Sequence, residues 1–310
     1  MFSPADLATL PFDDWVNAFV RGWLVPNFRP TFRAAQVPVS AVLAGLDWFF
    51  RWMPMLVTTA AFALVAWRTA GRATAIITVL GFAFIDMIGL WNHTMTTLAM
   101  IVTSVLFCTV IGIPAGILAA RSDRAWRVIR PVLDIMQTIP SFVYLVPIVM
   151  LFGVGMAPGI IATIIFALPP IVRLTNLGIR NVRADLIEAA EAFGSTPWQM
   201  LWDLQLPLAM RTIMAGLNQT LMLALSMVVI AALIGAGGLG LVVNTGLGRL
   251  DVGGATAGGV AIVILAIVLD RITQGIADGA GLRGLSLRQA VMNLLRLRGT
   301  APGAEAQKAG

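Results

Sequence analysis

The chain has 310 residues, of which 58% are hydrophobic and only 12% are charged. A soluble domain carries about 25% charged residues, so this composition excludes an ordinary soluble protein and predicts an integral membrane protein. The net charge of +6 comes from basic residues that flank apolar runs. That arrangement is typical of the positive-inside bias of membrane proteins and does not indicate nucleic-acid binding.

The residues that carry most enzyme chemistry are scarce. Cys108 is the only cysteine and His93 the only histidine, so no disulfide framework, zinc site or histidine-based catalytic triad is expected. We therefore predict no catalytic residue, no metal site and no cofactor in this chain. Lys308 is the only lysine and lies outside any G-x-x-x-x-G-K-[ST] pattern, which excludes a P-loop. If ATP drives this protein, a partner chain must bind Mg-ATP.

The first 52 residues are predicted to lie outside the membrane as an interfacial segment. Residues 12–24 interleave aromatic and charged side chains as an amphipathic helix does, and we expect Pro26 and Pro30 to end that helix. A second helix with an apolar face is predicted over residues 39–50. A mobile tail is the alternative interpretation. No cleavable signal peptide is expected, because the chain starts without a basic region and an early apolar core.

Seven apolar runs, most of them bounded by arginine, predict about seven transmembrane helices in an all-α polytopic protein. The first two belong to an N-terminal unit, residues 53–94, and the others to a core, residues 95–275. The uncharged run 135–172 is too long for one span, and the glycine-rich stretch 153–159 is expected to divide it. The predicted spans are 53–67, 75–90, 95–120, two within 135–172, 208–234 and 255–269.

Residues 185–207 are the longest polar-sided stretch in the apolar part of the chain, and they predict two short helices joined by a corner. Asp185 and Glu188 fall in the first turn of one helix, where the helix dipole favours carboxylates. Gly194 can adopt the left-handed conformation that ends a helix.

The second helix of the corner has a complete start signal. Thr196 is expected as the N-cap, Pro197 at the first helical position and Gln199 as the capping-box partner. Pro207 is expected to open the next apolar segment.

The first helix of the corner carries an apolar stripe formed by Leu186, Ile187, Ala190 and Phe193. A short helix of this kind, held between spans, suits insertion into a groove on another protein. A solvated connector whose apolar face lies on the bilayer is the alternative.

The charge distribution predicts an orientation once the corner is placed inside, as docking requires. The spans then alternate so that the N-terminus lies outside and the tail, residues 276–310, is cytoplasmic. Most arginines, including all four in residues 121–130, fall inside. Within the tail, residues 286–297 predict a short basic amphipathic helix and residues 299–310 predict disorder.

Polar side chains within apolar spans are costly in hydrocarbon and are candidates for a substrate path. Helix–helix hydrogen bonding is the alternative explanation for the same residues. Asp86 is the one carboxylate predicted within a span, near its end or paired with a neighbour. The candidate path residues are Gln137, Thr138, Ser141, Tyr144, Asn218, Gln219 and Ser226.

Ten of the 30 glycines lie in residues 235–259. Such a segment bends and lets backbones approach closely, so a gate or hinge and tight helix packing are equally open interpretations. The candidate hinge residues are Gly235, Gly237, Gly238 and Gly240.

The corner also resembles a known signature. Glu188-Ala189-Ala190, Gly194 and Leu206-Pro207 are spaced as in the EAA motif of bacterial ABC-importer permeases, with Leu204 where that family usually has isoleucine. In that family the loop is a coupling helix that docks on the cytoplasmic ATPase. The resemblance assigns the coupling role to Asp185, Glu188, Ala189, Ala190, Gly194, Leu206 and Pro207.

Longer stretches are similar to the permeases of bacterial glycine betaine/proline betaine importers. They include MQTIPSFVYLVPIVMLFG (136–153), FALPPIVRLTNLGI (166–179) and QLPLAMRTIMAGLNQTLMLALSMVVIA (205–231), with a further match over 261–274. The segment 28–39 is similar more loosely, and residues past about 276 do not match.

The resemblance implies a type I ABC-importer permease fold in the bacterial inner membrane. It also implies a homodimer of permeases, two cytoplasmic ATPases and an extracytoplasmic binding protein that selects the substrate. The expected function is import of a quaternary amine such as glycine betaine, proline betaine or choline by alternating access. An ABC permease for another solute, such as an amino acid, is one alternative. An ion-coupled secondary carrier is another, disfavoured by the scarcity of intramembrane carboxylates.

Overall fold

A computed structural model describes the backbone of residues 11–299, and the side chains of these residues apart from 12, 13, 29 and 278–299. Within that range the chain is helical, with no strand. Its α-helices are α1 (Phe12–Asn17), α2 (Val25–Trp52), α3 (Met55–Ala70), α4 (Arg72–Met87), α5 (Trp91–Arg121), α6 (Asp123–Thr138), α7 (Leu145–Phe152), α8 (Met156–Arg180), α9 (Ala184–Ala192), α10 (Pro197–Gln199), α11 (Leu206–Ala231), α12 (Leu239–Gly248) and α13 (Val252–Gly299). Short π-helical and 3₁₀ segments join several of them: π-helix at Ala18–Leu24 and Met200–Gln205, and 3₁₀-helix at Ser141–Tyr144 and Ala232–Ile234.

The number of spans differs from the predicted one. Among residues 11–299, four helices are long and apolar enough to cross a membrane, and the number rises to six if each of two pairs bent by 105° counts as one span. The remaining predicted span corresponds to α4, which has 16 residues. Sixteen helical residues rise only about 24 Å, less than the roughly 30 Å of a bilayer core. Asp86 is exposed near the end of α4, as one of the predicted alternatives has it.

The N-terminal segment is one continuous helix, so the prediction that Pro26 and Pro30 end it is wrong. Helical structure runs from Phe12 to Trp52 through a π-helical stretch, with Pro30 and Pro38 inside α2. A proline removes one backbone donor, but breaking the helix beside a membrane would leave several backbone groups unsatisfied. The predicted apolar face of residues 39–50 is confirmed, because Val39 and Leu43 are buried in the core.

The centre of the molecule is formed by α5, α8 and α11, which pack along one another. Small residues permit a close approach of α5 to α8. A Cβ added at Gly116 would lie 2.5 Å from Cβ of Thr175 and 2.9 Å from the carbonyl oxygen of Val172. One turn earlier, a Cβ at Gly112 would lie 2.3 Å from Cγ2 of Ile171. These two glycines form a G-x-x-x-G pair, a pattern that lets membrane helices approach closely.

The uncharged run 135–172 is divided as predicted. Its first half is a broken helix, bent by 105° between α6 and the segment that begins at Ser141. Pro140 has an extended backbone at the break. The turn that follows α7 contains Gly153 at φ +87° and Gly155 at φ +127°. Both values favour glycine, which explains why the chain reverses here.

The helix that follows the corner starts earlier than predicted. Helical structure runs without interruption from Pro197 to Ile234, and Pro207 lies in the first turn of α11, as predicted. The π-helical segment Met200–Gln205 directly precedes α11. Proline cannot donate the i→i−4 hydrogen bond, and a local π-turn re-registers the backbone around it.

The last helix also exceeds its predicted range. It continues from Val252 through Asp270 and Arg271 to Gly299, whereas the span was predicted to close at these charges. Residues 300–310, most of the segment predicted to be disordered, lie outside the described residues, as do residues 1–10.

Candidate functional site

The corner at residues 184–199 has the predicted backbone geometry. Helix α9 ends at Ala192, and Gly194 adopts φ +79°. The amide of Gly194 donates to the carbonyl of Glu191 over 2.9 Å, and that of Ser195 donates to Ala190 over 3.0 Å. These bonds satisfy the last carbonyls of α9 and turn the chain, as a left-handed C-terminal residue does.

The predicted capping box at the start of α10 is also confirmed. The Thr196 hydroxyl accepts from the Gln199 amide over 3.3 Å, and the Gln199 side-chain oxygen accepts from the Thr196 amide over 2.9 Å. Pro197 occupies the first helical turn. The turn of the corner is therefore held by hydrogen bonds between residues at most five positions apart.

The corner exposes large aromatic side chains. Phe193 is 91% exposed, Trp198 62% and Trp202 52%. The two tryptophans meet edge to face, with ring centroids 5.7 Å apart. Exposed apolar groups clustered beside charged ones are typical of a protein–protein contact. The predicted apolar stripe of α9 is divided, because Leu186 is exposed with Phe193 while Ile187 and Ala190 are half-buried.

The residues assigned to coupling are not all accessible. Asp185, Glu188, Ala189, Gly194 and Pro207 are exposed. Leu206 is a correction to that assignment, since it is only 8% exposed and belongs to the main hydrophobic core. It anchors the end of the corner and does not present a surface to a partner.

Arg183 precedes α9 and forms a two-point contact with the first acidic residue of the corner. Its Nε donates to Asp185 over 3.0 Å, and its Nη2 donates to the second carboxylate oxygen. These hydrogen bonds from Arg183 lower the pKa of the Asp185 carboxyl below its ordinary value. Asp185 is therefore anionic at neutral pH at the N-terminal turn of α9, where the helix dipole favours a negative charge.

Two arginines lie where the corner meets the spans. The Arg180 side chain donates to the Ala119 carbonyl and to Asn176 over 2.9 Å each, and lies 2.7 Å from Asp123. Arg121 reaches the carbonyl of Pro197 over 3.5 Å. A cavity of about 310 Å³ lies between these arginines and the inner side of the corner. Arg121 thus bonds to the corner across a partly open space, while Arg180 holds the ends of α5, α6 and α8 together.

The candidate path residues fall on three elements, namely the end of α6, the 3₁₀ segment that follows it and α11. The Tyr144 ring is buried with Met227 and Ile234, so the 3₁₀ segment that carries Ser141 and Tyr144 packs near the end of α11. The Tyr144 hydroxyl donates to the Met136 carbonyl over 2.5 Å, which ties the broken helix together. Gln137 and Thr138 are exposed at the same break.

One face of α11 is exposed and partly polar. Gln219, Met222 and Ser226 follow one another at spacings of three and four residues, and all three are exposed. The Ser226 hydroxyl donates to the carbonyl of Met222 over 3.2 Å. We refer to these three residues as the α11 stripe.

Asn218 differs from the other candidates because its amide is already used between helices. It donates to Asp270 over 3.2 Å and accepts from the Thr273 hydroxyl over 2.6 Å. Gln274 also donates to Asp270, over 2.7 Å. Hydrogen bonding between helices, the alternative explanation for these polar residues, therefore applies to Asn218. Sequence reasoning took Asp270 as the end of a span, although an acid inside an apolar helical run is itself a signal for such a partner.

The glycine-rich segment combines both open interpretations. Gly235 and Gly238 have φ +79° and +77°, and they interrupt the helical path between α11 and α12. Gly240 allows close packing, because a Cβ there would lie 3.0 Å from Cα of Val229. Gly237 lies beside Met156, and its added Cβ would be 3.3 Å from the sulfur. The break is fixed in place by the amide of Leu239, which donates to the Thr97 hydroxyl over 2.7 Å.

The corner and the break at Gly235–Gly238, which we refer to as the glycine break, lie at opposite ends of the molecule. At one end, Arg121 at the end of α5 bonds to the corner, and Arg180 links the adjoining ends of α5, α6 and α8. At the other end, the amide of Gly155 donates to the Ile234 carbonyl over 2.9 Å. The corner and the glycine break are thus joined by the whole length of α11.

Comparisons with known proteins agree with this geometry. Residues 112–279 match the family described as "Binding-protein-dependent transport system inner membrane component". The chain is 55% identical over 284 residues to the glycine betaine/proline betaine transport system permease protein ProW of Escherichia coli (strain K12), covering 92% of this chain and 80% of that protein. It is 46% identical over 270 residues to the glycine betaine transport system permease protein OpuAB of Bacillus subtilis (strain 168), covering 87% of this chain and 95% of that protein.

A solved structure shares the fold. An inward-facing conformation of the MetNI methionine ABC transporter contains a chain that is 26% identical to this one, with a TM-score of 0.54. The match covers 64% of this chain and 97% of that one. The family match covers more than half of the chain and includes the corner, α11 and the glycine break. The chain therefore belongs to the family of inner-membrane components of binding-protein-dependent transport systems, with the helical fold of an ABC-importer permease.

Proposed function

We propose that this chain is the membrane-spanning permease of an ATP-driven importer for quaternary-amine compatible solutes. The observation that carries the proposal is the exposed corner, a rigid, capped turn that presents Phe193 and two tryptophans at one end of the molecule. A surface of this kind suits docking into a groove on a partner. The chain itself has no P-loop, so the docked partner is the natural source of ATP hydrolysis.

The proposed assembly contains two cytoplasmic ATPases that bind Mg-ATP, an extracytoplasmic binding protein and two copies of this permease. The α11 stripe supports the second copy. An exposed amide such as that of Gln219 is costly against lipid, so this face needs either a polar partner or a water-filled path. A second copy facing it across a shared axis would supply both. Gln219 and Ser226, with Gln137, Thr138 and Ser141, would then line the path, and Gly235 and Gly238 would form its gate.

The charge distribution supports an orientation with the corner in the cytoplasm and the N-terminus outside. Arg121, which contacts the corner, and Arg180, which contacts Asp123, are at the same end as the basic helix α6. Basic residues favour the cytoplasmic side of bacterial membranes. The turns at Gly89 and Gly153–Gly155 would then lie on the extracytoplasmic side.

The relatives support quaternary amines as the substrate class. The similar proteins carry names for glycine betaine, proline betaine and, in GbuB of Listeria monocytogenes, carnitine. An amino acid is the second candidate, because the structural neighbour belongs to a methionine transporter. The chain is 55% identical to ProW and 26% identical to the chain of the methionine transporter, so the comparison favours a quaternary amine as the substrate.

Reconstitution tests the transport activity. Proteoliposomes that contain this chain, its ATPase and its binding protein should accumulate glycine betaine only when ATP is supplied. Uptake driven by an ion gradient without ATP would contradict the proposal. Uptake of methionine with no uptake of glycine betaine would support the second candidate.

Substitutions in the corner test coupling. Gly194→Asp and Glu188→Arg should leave folding largely intact and uncouple ATP hydrolysis from import. Gly89→Asp is the matched control, because Gly89 has φ +73° and, like Gly194, open space around its Cβ, but lies in the turn before α5. Import that survives in the Gly194 variant, or that is lost equally in the Gly89 variant, would contradict the docking role.

A further inference from the structure

We propose that a cavity beside α2 binds a small zwitterion that carries a quaternary ammonium group, at a site separate from the path along α11. The cavity has a volume of about 790 Å³, within the range of known ligand pockets. It lies between α2 and the chain segments at the starts of α5 and α8. Its polar and aromatic lining comes mainly from α2: Gln36, Ser40, Asp47, Trp48, Arg51 and Trp52.

Two tryptophans form an aromatic wall of this cavity. The rings of Trp48 and Trp52 are nearly parallel, with an interplanar angle of 12° and centroids 5.9 Å apart. A trimethylammonium group does not fit between rings at that distance, so it would rest against the outer surface of the wall. A cation within about 6 Å of an indole face is attracted by the ring quadrupole, and methylated ammonium ions are the ligands most often bound in this way.

A partly uncompensated carboxylate lies beside the wall. The Asp47 side chain is only 18% exposed, and its Oδ2 is 3.5 Å from Nη1 of Arg51. Its Oδ1 is buried and has no hydrogen-bond partner among the described residues. A buried oxygen of this kind is costly unless positive charge approaches it. A quaternary ammonium at the wall would supply that charge without needing a hydrogen bond.

Arg51 provides the opposite half of the recognition. Its side chain is 52% exposed, and the single contact with Asp47 leaves other N–H donors for an anionic group. Guanidinium groups bind carboxylates through two parallel hydrogen bonds. Asp47, Trp48, Arg51 and Trp52 share one face of α2 within about a turn and a half. Together they match a ligand with a methylated ammonium at one end and a carboxylate at the other, which is the chemistry of a betaine.

The α2 residues of this site are separate from the transport path, whereas the opposite side of the cavity reaches the glycine break through Met156, which lies beside Gly237. These α2 residues precede the family region, which begins at residue 112, and none of them belongs to the corner, the α11 stripe or the glycine break. The inference therefore does not rest on the proposed function. A betaine site here would let the permease sense or concentrate such a solute before it reaches the path.

Binding to the full chain tests the inference. The chain is placed in nanodiscs of uncharged phosphatidylcholine without its partners, and glycine betaine binding is followed by calorimetry. The double variant Trp48→Ala/Trp52→Ala should bind about tenfold more weakly, since two cation–π contacts are lost. Trp48→Phe/Trp52→Phe should retain most of the affinity. Trp67→Ala, a 53% exposed tryptophan of α3 outside the cavity, should bind as the wild type does.

Equal affinity in the wild type and the double alanine variant would overturn the proposal and identify the tryptophans as interfacial anchors only.

A second variant tests the proposal if the double variant fails to fold. Arg51→Gln, at a half-exposed position, should weaken glycine betaine binding and leave tetramethylammonium binding unchanged or tighter. Equal loss for both probes would overturn the zwitterion assignment. ATP-driven uptake measured in parallel separates the two proposals, because a failure of transport with binding intact contradicts only the proposed function.

Discussion

Asn218 shows at the scale of a residue how a polar group is accommodated within a span. Its amide contacts both Asp270 and Thr273, at 3.2 and 2.6 Å, and so links α11 to α13. In hydrocarbon the Asp270 carboxylate would otherwise have few hydrogen-bond partners. The bond from Asn218 therefore stabilises the protein mainly because it supplies one of these partners.

The role of Asn218 can be tested by measuring stability. Asn218→Ala should lower the free energy of unfolding by about 1 kcal/mol, the typical size of a hydrogen bond between membrane helices. Thermal unfolding in detergent is the measurement. Ser226→Ala is the control, because that hydroxyl bonds only to Met222 on its own helix and is exposed. If both variants lose the same stability, the amide does not act as a link between helices.

At the scale of an element, the contact between α5 and α8 depends on the absence of side chains. Gly112 and Gly116 face Ile171, Val172 and Thr175 at distances that leave no room for a Cβ. The resulting close approach lets α5 and α8 bury small residues along their length, which is how helices associate where hydrocarbon supplies no hydrophobic driving force.

An added methyl group at this contact should be destabilising. Gly116→Ala places a Cβ 2.9 Å from a backbone oxygen, which cannot move away as a side chain can, and overpacking of this kind costs about 1–3 kcal/mol. Gly259→Ala in α13 is the matched control, since no atom lies within 4 Å of its added Cβ and φ is not positive. The control should be neutral or more stable by up to about 1 kcal/mol, because alanine favours helix. Equal melting temperatures for the two variants would show that the α5–α8 contact accommodates an added methyl group without loss of stability.

At the scale of the whole molecule, α11 connects the two ends that a transport cycle must coordinate. Its helical path starts in the corner at Pro197 and ends at Ile234, beside the glycine break. A continuous helix is stiff, so a displacement of the corner is carried to the other end. The α11 stripe runs along the same element, which places the exposed polar face on the helix that joins the two ends.

The proposed homodimer predicts where two copies approach one another. Met222→Cys, in the α11 stripe, should be cross-linked to a second copy by a short thiol-reactive reagent in membranes. Val263→Cys on α13 is the control, because Val263 is more exposed, at 56% against 39%, but lies outside the stripe. The native Cys108 is buried and should not react. Cross-linking at residue 263 and not at residue 222 would place the contact elsewhere.

Much of this protein follows from its sequence alone. The membrane class follows from composition, and the corner follows from residues within five positions of one another: the C-terminal Gly194 and the Thr196–Gln199 capping box. The breaks at Pro140 and at Gly153–Gly155 are of the same kind. Such features are local because a cap or a turn is satisfied by its immediate neighbours, whatever the rest of the chain does.

Only the tertiary structure decided how the helices continue and what their faces meet. The helix runs on through Pro30, Pro38 and Pro207, because a nonpolar environment penalises unsatisfied backbone more than a proline penalises the helix. The burial of Leu206 and the pairing of Asn218 with Asp270 join residues distant in the chain. Apolar runs of similar composition do not reveal which of their faces will touch, since that depends on shape complementarity between helices and not on hydropathy.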